Sequence, residues 1–67
     1  MDKMKALHYF KLAAGQGNVE AQCCLGLVYY QGDGVERDVD EAMRYLELAA
    51  AQGLQQAQDV LAQFRAA

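Results

Sequence analysis

The 67-residue sequence contains no proline, serine, threonine, isoleucine or tryptophan. There is no serine or threonine hydroxyl for the single histidine, His8, to activate, and we interpret His8 as a solvated helix position. The chain is instead rich in alanine, leucine and glutamine, which lose little side-chain freedom in a helix. The composition therefore predicts an all-α domain with one small core.

Clusters of basic residues and long apolar runs are also missing. Six basic residues against nine acidic residues give a net charge of −3, and the basic residues are spread along the chain. This distribution predicts no nucleic-acid partner, because phosphate binding needs a clustered positive field. No apolar run approaches the ~18 residues that span a bilayer, and the N-terminus lacks a signal pattern. We therefore expect a soluble, cytoplasmic protein without a membrane partner.

No spacing of metal ligands, phosphate-binding glycines or catalytic groups is found. The segment 32–34 lacks the third glycine and the preceding strand of a dinucleotide loop, and the acidic residues after it miss the calcium-loop positions. Cys23 and Cys24 are adjacent, which disfavours a disulfide bond between them, and metal spacing is absent. We predict two reduced thiols, Cys24 in the core and Cys23 nearer the surface, where oxidation could reach it. The sequence predicts no cofactor, no metal and no enzymatic activity.

The sequence repeats itself at an offset of 36 residues. Residues 12–26, LAAGQGNVEAQCCLG, return as residues 48–62, LAAAQGLQQAQDVLA. Between Ala6 and Leu25, ten of the twenty positions carry the same residue 36 positions later. Repeats of this length indicate stacked helical or stranded units, because one unit alone cannot bury its apolar face.

Glycines and acidic residues divide each unit into two helices. Gly17 and Gly53 fall where a helix should end in a left-handed residue. Asp38, with Glu41 three residues later, is the predicted N-cap of a helix, and Asp2 is its counterpart one repeat earlier. The predicted helices cover residues 2–16, 19–31, 38–52 and 55–66. The single predicted domain, 1–67, divides into a first hairpin with its connector, 1–36, and a second hairpin, 37–67.

Helical periodicity predicts which faces are buried. Successive residues turn by ~100°, which gathers matching apolar arcs on the first and third helices. These predicted core arcs are Ala6, Leu7, Tyr9, Phe10, Ala13 and Ala14, and Ala42, Met43, Tyr45, Leu46, Ala49 and Ala50. The second helix is apolar on two sides, so we expect it between the first and the third, whereas the fourth turns a wetter side to solvent. The outer side of the first helix has no such neighbour, and we expect something to cover it.

Residues 17–53 resemble a Sel1-like repeat, a relative of the tetratricopeptide repeat. The resemblance is carried by Ala21, Gln22, Leu25, Gly26, Tyr29, Gly32, Gly34, Val35, Asp38, Ala42, Tyr45, Ala49, Ala50 and Gly53. The fourth helix departs from the pattern, with Ala62 where glycine is expected and Arg65 where tyrosine is expected. The resemblance implies a right-handed α/α superhelix, here of two helical hairpins, that serves as an adaptor for protein partners.

Two matching surface stripes are the candidate binding site. Leu12 and Leu48 lie about 60° outside the core arcs, so we expect both to be partly exposed. Apolar ridges flanked by charge suit the docking of a peptide or a helix. The predicted partner-binding residues are Lys5, His8, Tyr9 and Leu12 on the first helix, and Glu41, Arg44, Tyr45 and Leu48 on the third. The leading hypothesis is a non-catalytic protein–protein interaction module.

Other interpretations remain open at this point. The chain could form a homodimer or an end-to-end stack through the uncovered first helix, since repeat arrays usually need about three units. It could also be a fragment of a longer Sel1-repeat array. Finally, the two leucines of the stripes could do no more than shield the edges of their helices.

Overall fold

The computed structural model describes the backbone of residues 3–66 and the side chains of residues 4–66. Four helices make up the fold: α1 (Lys3–Gly15), α2 (Val19–Gln31), α3 (Val39–Ala51) and α4 (Gln55–Ala66). Within residues 3–66 there is no strand, so the predicted all-α class is confirmed. Each predicted helix boundary agrees to within one residue. The predicted cap Asp2 lies outside the described residues.

Polar side chains start two of the helices. The Asp38 carboxylate accepts a hydrogen bond from the Glu41 amide at 3.1 Å, which confirms the predicted N-cap of α3. The Asn18 side chain does the same for α2 by accepting from the Ala21 amide at 3.0 Å. Both bonds satisfy amide donors that a first helical turn leaves open. Asn18 was not among the predicted caps, although asparagine before an apolar run is a typical N-cap.

Helices α1 and α3 end in the same turn, one repeat apart. Gly17 and Gly53 both have a φ of 92°, a conformation that glycine adopts without steric cost. The amide of Asn18 then donates to the Ala13 carbonyl at 3.1 Å, and the amide of Leu54 donates to the Ala49 carbonyl at 3.2 Å. This closure satisfies carbonyls at the helix end and reverses the chain. The two predicted glycine turns are therefore confirmed.

The helices pack in chain order, with α2 between α1 and α3 and with α4 against α3. One buried cluster joins α2, α3 and α4 and contains Cys23, Leu46, Ala49, Ala57 and Leu61. A second cluster joins α1 and α2 and contains Ala14, Ala21 and Leu25. This arrangement confirms the prediction that α2 is buried on two sides and that α4 turns a wetter side to solvent.

Tyr9 was predicted to be a core residue, and this prediction is wrong. Its side chain is 66% exposed, whereas its repeat counterpart Tyr45 is half-buried. Tyr45 is covered because α2 packs over it, and among residues 3–66 no helix packs on the corresponding side of α1. Identical residues at equivalent positions thus differ in burial because their neighbours differ.

The predicted order of the two cysteines is also wrong. Cys23 is buried against Leu46 and Ala49, whereas Cys24 is half-buried, and both thiols are free. The error arises because α2 has two buried sides, and Cys23 lies on the side that α3 covers. Burial, with a smaller contribution from Cys24, raises the pKa of the Cys23 thiol above its ordinary value. Cys23 is therefore not the exposed thiol that oxidation would require.

The described helices were also compared with the length and hydropathy that a helix needs to cross a lipid bilayer. Within residues 3–66, no helix combines the length and the hydropathy of a membrane span.

Candidate functional site

The two leucines of the predicted stripes occupy equivalent, exposed positions. Leu12 on α1 is 57% exposed and Leu48 on α3 is 46% exposed, in agreement with the expectation from helical periodicity. They are 36 residues apart and therefore occupy the same position in successive repeats. An exposed leucine on each of two equivalent helices provides a pair of apolar contact points separated by one repeat.

Charged residues flank both leucines, but their signs differ between the helices. Lys5 and His8 on α1 are exposed, and their repeat counterparts on α3 are Glu41 and Arg44. Glu41 and Arg44 form an ion pair at 3.5 Å on the surface, which contributes little to stability but orients both side chains. The α1 stripe is thus basic, while the α3 stripe has one charge of each sign.

A cluster of Lys11, Tyr29, Tyr45 and Glu41 links α1 and α2 to the α3 stripe, and it was not predicted from the sequence. The Lys11 ammonium lies 5.8 Å from the centre of the Tyr29 ring, and this ring stacks on Tyr45 at 6.0 Å with 4° between the planes. The Tyr29 hydroxyl, followed by the negative potential of Tyr45 and Glu41, raises the pKa of Lys11 above its ordinary value, although partial desolvation opposes this. We call these four residues the lysine–tyrosine cluster.

The lysine–tyrosine cluster contains two of the predicted site residues, and a third predicted site residue lies outside it. Tyr45 and Glu41 belong to it, whereas Tyr9 contacts its neighbour Phe10 edge-on at 6.0 Å and lies outside it. The sequence carried no local signal for Lys11 or Tyr29 as site residues, because their contact joins α1 to α2. A groove of about 370 Å³ continues from the cluster along the connector, past Glu36 and Asp38.

A second groove, of about 560 Å³, is apolar and lies among α2, α3 and α4. Its walls include Tyr30 and Phe64, whose ring centres are 4.5 Å apart, and Met43. The Arg37 guanidinium covers the Tyr30 ring at 5.1 Å, and its Nε donates to the Tyr30 carbonyl at 2.8 Å. This contact anchors the connector against the end of α2. Helical angles place Met43 on the side of α3 away from Leu48.

The outer side of α1 forms a third candidate surface. We define the open α1 face as Ala6, Tyr9, Phe10 and Ala13, of which Phe10 and Ala13 are half-buried and also pack against the buried cluster of α1 and α2. A depression of about 350 Å³ lies on this face, with Lys5 at its edge. Ala42, Leu46 and Ala49, the counterparts of Ala6, Phe10 and Ala13 on α3, have no exposed surface at all. The open α1 face therefore presents residues that are core residues in the next repeat.

Acidic, histidine and cysteine side chains of residues 4–66 do not converge into a metal site. In the part of the chain that the structure describes, no three of them are arranged as ligands of one ion. Every buried side-chain nitrogen or oxygen of the described residues has a hydrogen-bond partner.

The fold defines the class of the protein: it is an α-helical hairpin repeat protein, in which successive hairpins pack side by side and equivalent turns recur after 36 residues. The family model described as Sel1 repeat matches residues 2–18 and 19–54, so the chain belongs to the Sel1 repeat family. The resemblance found in residues 17–53 is thereby confirmed. Sel1 repeats generally mediate protein–protein interactions.

A curated relative extends this comparison. Over 44 residues the chain is 41% identical to DAP3-binding cell death enhancer 1 of Rattus norvegicus. The matched segment is 66% of this chain but 9% of that protein, so the chain spans less than a tenth of the relative. No solved structure matches the chain significantly.

Proposed function

We propose that the chain is a non-catalytic interaction module that binds a peptide or helix of a protein partner on the shared side of α1 and α3. The observation that carries this proposal is the pair of half-exposed leucines, Leu12 and Leu48, at equivalent positions of successive repeats. Around them lie the remaining proposed contact residues: Lys5, His8, Tyr9, Glu41, Arg44 and Tyr45.

The leucines supply affinity and the charges supply orientation. Complete burial of one leucine side chain contributes roughly 1.5–3 kcal/mol, so covering the exposed half of each gives about 2 kcal/mol in total. Charge on this surface comes from the exposed Lys5 and Arg44 and from the lysine–tyrosine cluster. Complementary charges on a partner then fix its direction and raise the association rate more than the affinity.

Peptides selected by display against the intact chain provide the ligand for a test. The double variant Leu12→Glu/Leu48→Glu removes both apolar contacts and adds two negative charges. The matched control, Gln56→Glu/Ala62→Glu, adds the same charge at exposed positions of α4. We expect the stripe variant to bind the selected peptides at least about tenfold more weakly and the control to bind them normally, with equal helicity in both. Undiminished binding by the stripe variant would end the proposal.

A second candidate function is self-assembly through the open α1 face. The observation that favours it is the exposure of Tyr9 beside Phe10, since apolar surface of this kind often marks an interface. Sedimentation of the intact chain at micromolar concentration measures its oligomeric state directly. A dimer that Tyr9→Glu or Leu7→Glu dissociates supports self-assembly; Tyr9→Glu is the sharper variant, because Leu7 packs against the buried cluster of α1 and α2.

The units and the location of this module are part of the same proposal. We retain residues 1–36 and 37–67 as the two hairpin units of one domain, which in a longer protein would form part of a Sel1-repeat array. The free thiols of Cys23 and Cys24 are compatible with a reducing compartment such as the cytoplasm, where we propose that the chain acts.

A further inference from the structure

The two repeats carry opposite charges on the helices that present the exposed leucines of the proposed site. Lys5 of α1 corresponds to Glu41 of α3, one repeat later. Lys11 of α1 likewise corresponds to Glu47 of α3, and each of these two residues directly precedes the leucine of its helix. The apolar contact residue is therefore the same in both repeats, while the sign of the charge on its helix is reversed.

The reversal extends over both helices. Residues 3–15 contain three lysines and no aspartate or glutamate, whereas residues 39–51 contain three acidic residues and one arginine. Both lysine side chains described on α1 are exposed, and so are Asp40 and Glu47 on α3. Because both helices pack on α2, a positive helix and a negative helix belong to the same small domain. An approaching partner therefore experiences fields of opposite sign at the two leucines.

Ion pairs on α3 do not remove this difference. Glu41 pairs with Arg44 at 3.5 Å, and Glu47 pairs with Arg65 of α4 at 3.7 Å. All four side chains are at least 37% exposed, so these are surface pairs that contribute little and open at little cost. Residues 3–15 contain no carboxylate of their own that could neutralise the lysines of α1.

Lys11 is the positive charge whose position is best defined. Its ammonium lies 5.8 Å from the centre of the Tyr29 ring, and this ring stacks on Tyr45 of α3. A lysine that is already held in one place loses less conformational freedom when a partner binds. A carboxylate of a partner therefore meets a cation that is already in position beside Leu12.

A uniformly charged partner fits this surface less well. The lysines of α1 would attract an acidic peptide, but Asp40 and Glu47 of α3 would repel it, and a basic peptide would meet the reverse. A partner with one sign of charge near each leucine avoids both repulsions. A second copy of the chain, turned by 180°, would also match the charges, and the mass of the chain in solution distinguishes this case.

We propose that the partner segment bound at Leu12 and Leu48 is charge-polarised, with carboxylates beside the apolar residue that contacts Leu12 and basic side chains beside the one that contacts Leu48. This inference rests on the proposed function, because it names the chemistry of the partner for the same surface. The opposite charges give the bound segment one direction across α1 and α3, which two equivalent leucines alone cannot do.

Peptides of equal composition test the charge pattern. The host is a peptide selected by display on the intact chain, whose binding Leu12→Glu/Leu48→Glu weakens. In the segregated version, two glutamates flank one apolar anchor and two lysines flank the other, whereas the mixed version has one of each beside both anchors. We expect the segregated version to bind about fivefold more tightly at low salt, and the difference to shrink at high salt as the charges are screened.

A spin label on the segregated peptide reports its direction. With the label beside the glutamates, we expect the amide signals of α1 in the nuclear magnetic resonance spectrum of the chain to weaken more than those of α3. With the label beside the lysines, the signals of α3 should weaken more. The reverse assignment would contradict the proposed charge contacts.

Variants of the chain test which charges create the preference. Lys5→Glu/Glu41→Lys exchanges charges between the repeats without a change in composition, so it should make the two peptide versions bind equally. Lys5→Gln/Lys11→Gln, at two exposed positions, should reduce the preference to about twofold or less. The control Gln56→Glu/Gln63→Lys adds one charge of each sign at exposed positions of α4 and should keep the preference. Circular dichroism checks that all variants keep their helicity.

The possible failures are distinguishable. Equal binding of the two versions by the unaltered chain, or a preference that survives Lys5→Glu/Glu41→Lys, would overturn this proposal and leave the leucine pair in place. If no selected peptide depends on Leu12 and Leu48, the proposed function fails and this inference fails with it. A dimer at micromolar concentration that the peptides cannot dissociate would assign the surface to a second copy and overturn the proposal.

Discussion

Helices α1 and α3 are repeats of one another, yet they are buried to different extents. In α3, Ala42, Leu46 and Ala49 have no exposed surface, whereas in α1 Ala14 alone of the residues with described side chains is buried. The difference does not lie in the apolar pattern, since the two arcs match position by position. It lies in the neighbours: α3 has a helix on each side, while α1 has only α2 among the described residues.

This comparison shows that in a repeat protein a residue's burial is a property of the stack and not of its own unit. The same alanine, tyrosine or large apolar residue is a core residue in one unit and a surface residue in the next. Substitutions at equivalent positions of the two units therefore measure how much of the stability comes from a neighbour.

Leu46→Ala should have the largest effect. Leu46 is fully buried between α2 and α4, so its truncation should cost about 3 kcal/mol of the free energy of unfolding through lost burial and a cavity. Its counterpart Phe10 is half-buried, so Phe10→Ala should cost only about half as much despite the larger side chain. Urea unfolding followed by circular dichroism measures both. Equal losses would mean that α1 is covered in solution as fully as α3.

Gly26→Ala should destabilise the chain by about 2 kcal/mol, although alanine favours a helix over glycine. The new Cβ meets Leu46 and the Ala42 carbonyl, neither of which has room to move in a closed interface. Gly15→Ala is the matched control at the end of α1. No atom would lie within 4 Å of its Cβ, so it should stabilise the chain by roughly 0.5–1 kcal/mol. A neutral or stabilising Gly26→Ala would show that α2 and α3 are not tightly apposed.

Gln22→Met should cost about 1–2 kcal/mol, because a buried polar bridge is lost without a change in size. Gln22 Nε2 donates to the Ala14 carbonyl at 3.2 Å, and Gln22 Oε1 accepts from Gln52. The equivalent Gln58 donates to the Ala50 carbonyl at 3.2 Å but is exposed, so Gln58→Met should cost less than about 0.5 kcal/mol. Thermal unfolding measures the loss of stability in both variants. A loss in Gln58→Met as large as that in Gln22→Met would contradict the prediction.

The smallest effect concerns the pH dependence of the Cys23 thiol. Burial raises its pKa above 9.0 in the folded chain, so the unfolded chain loses this proton first. The unfolded state then binds fewer protons, and the contribution to stability, complete below pH 9.0, is lost as the pH rises through the folded pKa. Cys23→Ala should therefore reduce the fall in urea midpoint between about pH 8 and pH 10. In native labelling, Cys24 should react before Cys23; the reverse order would refute the assigned burial.

Much of the fold follows from the sequence because its determinants are local. Helix boundaries depend on residues a few positions apart, such as the Asp38 cap and the glycine turns, and these were predicted to within one residue. The exposure of Leu12 and Leu48 followed from helical angles alone. The missed cap Asn18 was equally local and could have been found.

Apart from the Asn18 cap, the errors and omissions all involve contacts between helices. Tyr9 was assigned to the core because its arc matched that of α3, and Cys23 to the surface because its counterpart is Asp59. The lysine–tyrosine cluster and the Gln22 bridge were not predicted, since each joins residues of different helices. Single-helix periodicity gives the direction of a side chain but not what lies opposite it.

The four helices with their caps and turns follow from the sequence, because hydrogen bonds between residues a few positions apart decide where a helix begins and ends. Which of the two equivalent apolar faces is buried and which is open depends instead on how the helices pack against one another. The physical reason is that burial depends on the removal of water by a neighbouring helix, and that neighbour differs between α1 and α3 although their own residues match.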